Sequence, residues 1–556
     1  LTAEQQSSLD ANATVAASMV DFIRGDEISN FRSRNRKLGD LVHSSPYLHG
    51  NTIFIGGNDG MLHAFNAQDG TERFGYVPNL VFSKLKQLTA PEYQHQFFVD
   101  LTVSVKEGVN GQTMLIGGLG KGGQGYYALD VSDADTINME NSASSDIADM
   151  VLWEYPRTGS DPDLGFSYSK ASVVRSNDPN YPWIIVFGNG YDSFNGKAVL
   201  YILDTQGQLV KKIHTDVGGC NGLSSPALVD TNFDYKLDYV YAGDLKGNLW
   251  KFDLSDSSVA DWESAYYDSF SATQPKPLFK TSNQPITTKP DVMFHCEKHG
   301  YIVNFATGKY LGISDRTDNS TQTIFGVWDY GDDADDHEYI GTFDTSTGTL
   351  TGTPSPIPSN ATLLEQTQTH WTMFSNVDVR ITSNNKPNWS SVGDSDNNQL
   401  DNPTNHVGWY FNLPGLGNSP NIESGERLVE DMMIRDGTLI AITFAPSSSP
   451  CSGGGNSMVN ELKACTGSRP SKARFDVNDD GFIDNSDLVT IDAGTADEAT
   501  VPPTGRKYTG RMHPPVVLSK DRDREMKIFS TSAATTVTLD ETAEQFGLVY
   551  WREVTN

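Results

Sequence analysis

Two acidic segments space their oxygen-bearing side chains as a hard divalent cation requires. In DVNDDGFIDNSD, residues 476–487, taking Asp476 as loop position one puts Asp476, Asn478 and Asp480 at one, three and five. Gly481 then falls at the sharp turn at six, the Phe482 carbonyl at seven, Asp484 at nine and Asp487 at twelve. Calcium takes roughly six to eight oxygens on a loop of this shape, and without a cation the gathered carboxylates repel one another. Position twelve is Asp instead of Glu, which shortens the reach of the closing ligand. The second segment, DTNFDYKLD at 230–238, puts Asp230, Asn232 and Asp234 at one, three and five, the Lys236 carbonyl at seven and Asp238 at nine. It lies between two apolar runs and lacks both a Gly at six and an obvious residue at twelve. Calcium, structural or regulatory in purpose, is the expectation at both loops; a solvated acidic turn is the alternative.

Other chemistry is poorly represented. The SSP triplets at 44–46 and 224–226 lack the G-x-S-x-G turn of a nucleophilic serine, and GGLGKGGQG at 117–125 lacks the G-K-[ST] ending of a phosphate-binding loop. No acidic pair stands out for general acid and base work, so no catalytic residues are assigned. Of the four cysteines only Cys451 and Cys465 are local to each other, across a Gly-rich turn, and they are the candidate disulfide, with buried free thiols as the alternative. Trp250, in NLWKFDL, reads as a core residue. Trp389, inside the polar stretch NKPNWSSVGD, is a candidate exposed contact, with partial burial against the scaffold the equal alternative.

The elements that must position these loops are mostly short strands. Residues 4–25 read as a helix with Val15, Met19, Phe22 and Ile23 on one face, followed by a polar run holding Arg32, Arg34, Arg36 and Lys37. After Gly39 the period becomes alternating. Strand-length apolar runs recur, several leading into a Gly-rich turn and a second strand with an acidic end, as in GGNDGMLHAFNAQDG at 56–70 and AGDLKGNLWKFDLSD at 242–256. Repetition of a strand unit suits a propeller, in which each small sheet buries its faces against its neighbours; a sandwich is the alternative. The repeat weakens after residue 270, and 385–406 and 445–504 read as insertions. The formal charge of -30 argues against nucleic acid or an anionic membrane face as a partner, because either would need a local basic patch, and none is apparent. No run is long and apolar enough to span a bilayer. The chain opens on Leu1, and it is expected to be a processed or excised piece of something longer.

The loop at 476–487 resembles the calcium loop of the dockerin type. Across nearly its whole length the chain also resembles the C-terminal domain of PilY-type proteins, the type IV pilus biogenesis factors and tip-associated adhesins. The resemblance rests on VDFIRGD (20–26), LGDLVHSSP (38–46), IFIGGNDGMLHAFNAQDG (53–70), YYALDVSD (126–133) and DTNFDYKLDYVYAGDLKGNLWKFDL (230–254). QPITTKPDVMFH (284–295), FATGKYLG (305–312), TQTIFGVWD (321–329) and GWYFNLP (408–414) continue it in order. It implies an all-β, modified seven-bladed β-propeller over 36–556 with a short N-terminal helical segment, 1–35, and loop insertions. It also implies a calcium ion at Asp230, Asn232, Asp234 and Asp238 whose occupancy governs pilus extension against retraction. Export to the cell surface, the outer membrane or the pilus tip is implied as well. So are pilus or minor pilin partners, contact with a host or abiotic surface, and support of twitching motility. A secreted calcium-stabilised propeller enzyme, glycan-active or quinone-dependent, and a purely structural assembly module are the alternatives.

Overall fold

The structure, a computed structural model, describes all residues except 138–147, 269–270, 331–338, 355–356, 390, 393–401, 404, 418–421, 448–453, 522–523, 533–534 and 543–556. Two helices open the chain where one was expected: α1 (Ala3–Leu9) and α2 (Ala13–Ile23). The break is made by side chains that compete with the helical backbone. Asp10 Oδ1 accepts the Asn12 amide at 2.7 Å, and Asn12 Oδ1 in turn accepts the Thr14 amide at 2.9 Å as the cap of α2. Among the described residues no helix is long and apolar enough to cross a membrane.

The rest is an all-β propeller fold of five blades. Each blade is a sheet whose four successive positions are filled in chain order. The first three are Tyr47–His49 to Glu72–Tyr76, Ser104–Val109 to Val151–Tyr155, and Ser172–Arg175 to Leu209–His214, each of four strands. The fourth runs Ala227–Val229, Tyr239–Gly243, Asn248–Asp253, Phe279–Thr281, and the fifth runs Asp291–Phe294, Tyr301–Ala306, Thr323–Asp329, His406–Asn412. Both carry further strands at an edge, some of them paired in parallel.

Five blades correct the seven expected from the resemblance. Beyond the fifth blade's third strand no further four-stranded sheet is filled in chain order among the described residues. In the next large sheet, Gly505–Thr509 inserts between Val377–Thr382 and Gly455–Lys463, strands far apart in the chain. The nine-residue strands Thr438–Pro446 and Gly455–Lys463 pair along their whole length in this sheet, longer than any blade strand. Val516–Asp521, Arg524–Ser530 and Thr536–Thr542 form a separate three-stranded meander.

The chain divides into two compact units, Leu1–Val240 with Phe252–Glu263, and Tyr241–Lys251 with Ser264–Arg552. In the first, one apolar cluster joins the helices to the first two blades through residues such as Ile23, Phe54, Phe74 and Leu115, and another runs through Tyr126, Trp153, Phe187 and Tyr201. In the second, Phe305 and Phe325 stack at 5.0 Å and Phe279 packs edge-on to both within 6 Å. The Gly-rich turn of the repeat carries an acid with a visible purpose here: the Asp244 carboxylate accepts the amides of Lys246 and Asn248 and the indole Nε1–H of buried Trp250, each at 2.9 Å. A single carboxylate thus satisfies a tight turn and a core tryptophan.

Trp389 is not an exposed contact. It is 3% exposed, edge-on to His295 at 4.6 Å between ring centroids and to Trp328 at 5.8 Å. The polar residues around it mask an aromatic anchor that binds its own loop to the scaffold. Trp389→Phe should cost about 1–2 kcal/mol in urea unfolding by lost packing; an unchanged midpoint would mean the ring contributes little. His295 lies between the two tryptophans and accepts the Glu297 and Lys298 amides on Nδ1 at 3.1 and 2.9 Å. Burial, with Lys298 nearby, pushes its pKa down to about 3.

The neutral imidazole is therefore favoured in the fold, while an unfolded histidine titrates near 6.5. Stability from this group is present above the unfolded value and is lost as pH falls from there toward 3. Unfolding at pH 7 and pH 5 should show a loss of about 2 kcal/mol in the parent that is absent in His295→Gln. Equal pH dependence in the two proteins would contradict the assignment.

The disulfide also differs from expectation. Cys465 is bonded to Cys296, 169 residues away, with the Cα atoms 6.2 Å apart. Cys451 lies outside the described residues. Sequence proximity favoured Cys451, but the folded strands bring Cys465, just past the long hairpin, to Cys296, just past the first strand of the fifth blade. Cys220 is a free, exposed thiol.

Candidate calcium loops

Both acidic segments fold into the same local structure. In the first, Asp230 Oδ1 accepts the Asp234 amide at 3.2 Å and Oδ2 the Tyr235 amide at 2.7 Å, so the carboxylate at position one spans the amides of five and six. Asn232 Oδ1 accepts the Asp234 amide at 2.9 Å, and Asp234 Oδ1 accepts the Lys236 amide at 3.0 Å. The second loop repeats each bond. Asp476 accepts the amides of Asp480 and Gly481 at 3.2 and 2.8 Å, Asn478 that of Asp480 at 3.0 Å, and Asp480 that of Phe482 at 2.9 Å. These bonds fold each loop around the side chains at positions one, three and five.

The backbone follows suit. Positions four and six are left-handed in both: Phe233 (φ 63°) and Tyr235 (φ 67°) in one loop, Asp479 (φ 58°) and Gly481 (φ 88°) in the other. Glycine takes this conformation at little cost, whereas a bulky residue there is strained. Tyr235 therefore does without the expected glycine, held by the bond from its amide to Asp230.

The closing carboxylates also correspond, which spacing alone had hidden. Asp238 is 2% exposed and its Oδ2 accepts the amide and the hydroxyl of Thr231, both at 2.7 Å; Asp487 is fully buried and its Oδ1 accepts the Val477 amide at 2.7 Å. Each thus holds the amide at position two of its own loop. Asp238 at nine does in the short loop what Asp487 at twelve does in the long one, and that explains why the first loop needs no twelfth residue. Asp484 instead accepts the Ser486 amide as the cap of a short turn, so it stands outside this set. Asn177 was missed: its Nδ2 donates to Asp238 Oδ1 at 3.1 Å from 61 residues away, a contact with no local signal in the sequence.

The carboxylates of each loop act on one another. Burial, with repulsion from Asp238 and Asp234, raises the Asp230 pKa; burial, with repulsion from Asp476, raises that of Asp487. Backbone amides oppose both shifts without overcoming them. The Lys236 ammonium sits 3.2 Å from Asp234, and Arg506 donates to Asp479 at 2.9 Å. Each loop thus carries excess negative charge and draws a cationic side chain to its edge. Among the described residues no group of three or more His, Cys, Asp or Glu side chains is gathered as a metal site. The donor set offered by each loop is mixed, carboxylates with an asparagine and a backbone carbonyl, and such hard oxygens fit calcium rather than zinc or copper.

Residues 44–365 match the PilY1 beta-propeller domain family. The chain is 34% identical over 534 residues to the type IV pilus biogenesis factor PilY1 of Pseudomonas aeruginosa strain UCBPP-PA14, covering 85% of this chain and 43% of that protein. A PilY1 homolog of Xylella fastidiosa strain Temecula1 is 34% identical over 440 residues, 75% of this chain and 26% of its own. The crystal structure of the Pseudomonas aeruginosa PilY1 C-terminal domain aligns with a TM-score of 0.64 and 28% identity, covering 88% of this chain and 92% of that one. The chain spans less than half the length of the curated relatives it matches.

Proposed function

Because the chain belongs to the PilY1 family of type IV pilus biogenesis factors, we propose that it is a non-catalytic, calcium-responsive propeller acting in pilus biogenesis and surface attachment. The observation that carries the calcium part is the shared bonding of the two loops, residue for residue, although their sequences and lengths differ. Asp230, Asn232, Asp234, Asp238 and the Lys236 carbonyl would hold one ion; Asp476, Asn478, Asp480, Asp487 and the Phe482 carbonyl would hold the other. A bound calcium supplies two positive charges to carboxylates that otherwise repel one another, and so stabilises the state that binds it. Asp230 and Asp238 connect this to the fold, since Asp230 directly follows the fourth-blade strand Ala227–Val229 and Asp238 directly precedes the next, Tyr239–Gly243.

The placement of the relatives supports an exported, surface or pilus-tip location and pilus or minor pilin proteins as partners. It also supports a non-catalytic part over a glycan-active or quinone-dependent enzyme. The test is complementation of twitching motility by the whole protein carrying Asp234→Ala, in calcium-replete and calcium-chelated medium. Motility should respond to calcium in the parent and not in the variant. An equal response in both would overturn the proposed link between this loop and the pilus.

A further inference from the structure

The polar run after α2 gathers its cations around a cavity of about 270 Å³ in the first unit, lined by Arg32, Arg34, Arg36 and Lys37, with Leu38 and Tyr93 also in its lining. In a chain of net charge -30 this is a local reversal of sign, and it corrects the expectation that no basic patch exists. One of the four is committed to the fold. Arg34 lies over the Phe22 ring at 3.9 Å and donates to the Phe22 and Asp26 carbonyls at 2.5 and 3.2 Å, holding the end of α2.

The other three are not. The Arg32 guanidinium is stacked on Tyr93 at 3.9 Å, and its buried Nε has no acceptor. Arg36 and Lys37 are exposed. Among the described residues none of these three has a carboxylate within ion-pair distance. Two acids also line the cavity, and each has a histidine partner: Asp59 accepts the Gly39 amide at 2.6 Å and lies 3.1 Å from His63, and Asp40 lies 2.8 Å from His95. Stacking fixes the Arg32 plane and leaves its edge free to fork onto an oxyanion, as guanidinium groups do.

We propose that this cavity binds the oxyanion of a small, sugar-sized ligand, with Arg32, Arg36 and Lys37 taking the charge and the exposed Leu38 beside them taking the ligand body. A carboxylate, as in a uronic acid, and a phosphate share this chemistry. Calorimetric titration of the whole chain with glucuronate, glucose 6-phosphate, inorganic phosphate and neutral glucose separates them. The charged ligands should bind, glucose should not, and added salt should weaken binding. Glucuronate without phosphate would assign a carboxylate site, and phosphate in both its forms a phosphate site. Arg36→Gln/Lys37→Gln, which alters exposed side chains, should weaken binding by about tenfold or more. Arg32→Met tests the stacked group separately. No binding of any oxyanion at about millimolar concentration, or equal binding by parent and double variant, would overturn the proposal. Calcium binding at the acidic loops is read separately and does not bear on the outcome.

Discussion

Removing the Glu426 carboxylate is expected to destabilise the second unit by about 3–5 kcal/mol, because it strands a buried guanidinium. Arg380 and Glu426 are both fully buried and pair through two bonds of 2.9 and 2.7 Å. The remaining Arg380 donors reach Gln368 Oε1, Asn460 Oδ1 and the Gly415 carbonyl at 2.9, 2.9 and 3.1 Å. Glu426 also accepts from the Thr443 hydroxyl and the Gly415 amide. Each polar atom of the pair is therefore satisfied, the condition under which a buried ion pair is tolerated at all. Glu426→Leu leaves the guanidinium charge, the Thr443 hydroxyl and the Gly415 amide uncompensated, whereas Arg380→Met combined with Glu426→Leu removes both desolvation costs. Denaturant unfolding should show the double variant losing much less than the sum of the two single ones. Additive losses would mean that the two groups act independently.

The second large effect concerns the acidic loops. Asp234→Ala should weaken calcium binding at the first loop by about a hundredfold, and Asp480→Ala should do the same at the second. Each removes a charged ligand at position five together with the acceptor for the amide at seven. Excess calcium should raise the parent's unfolding free energy by about 2–3 kcal/mol per loop at a hundred times the dissociation constant, and each variant should lose one such increment. The pKa directions fix the pH dependence. Because the Asp230 and Asp487 values are raised, the metal-free fold is favoured by their protonation and loses that contribution as pH rises through the folded values. Protons therefore compete with calcium, and affinity should fall on acidification.

How far the sequence could be read depended on whether the determining contact was local. The two acidic loops could be picked out because a loop of this kind is made by neighbours, and their hydrogen bonds join the side chains that the spacing singles out. The equivalence of Asp238 and Asp487 could not be read, since it depends on which amide each closes upon. Five blades instead of seven followed from strand order late in the chain, where residues such as Gly505–Thr509 pair across long separations that no local period reports.

Arg380 illustrates the same limit from inside a strand. VDVRIT at 377–382 alternates apolar and polar residues, which reads as one face toward the core and one toward water. Here the other face is covered too, and the arginine is buried with partners drawn from four other segments. Trp389 failed in the opposite direction: the polar residues on either side describe its loop, and its own ring is fixed by His295 and Trp328, distant in the chain. The cationic cavity was visible only as a polar run, because Tyr93 and Asp59, which complete its lining, come from elsewhere in the chain.

The central claim is that the two acidic loops are calcium sites, and calorimetric titration of chelator-stripped protein tests it most directly, with the parent beside Asp234→Ala and Asp480→Ala. The account predicts two calcium sites in the parent and the loss of one in each variant, with circular dichroism showing all three proteins folded. No calcium heat in any of them, with no metal found by elemental analysis of the untreated protein, would contradict it and leave both loops as solvated acidic turns.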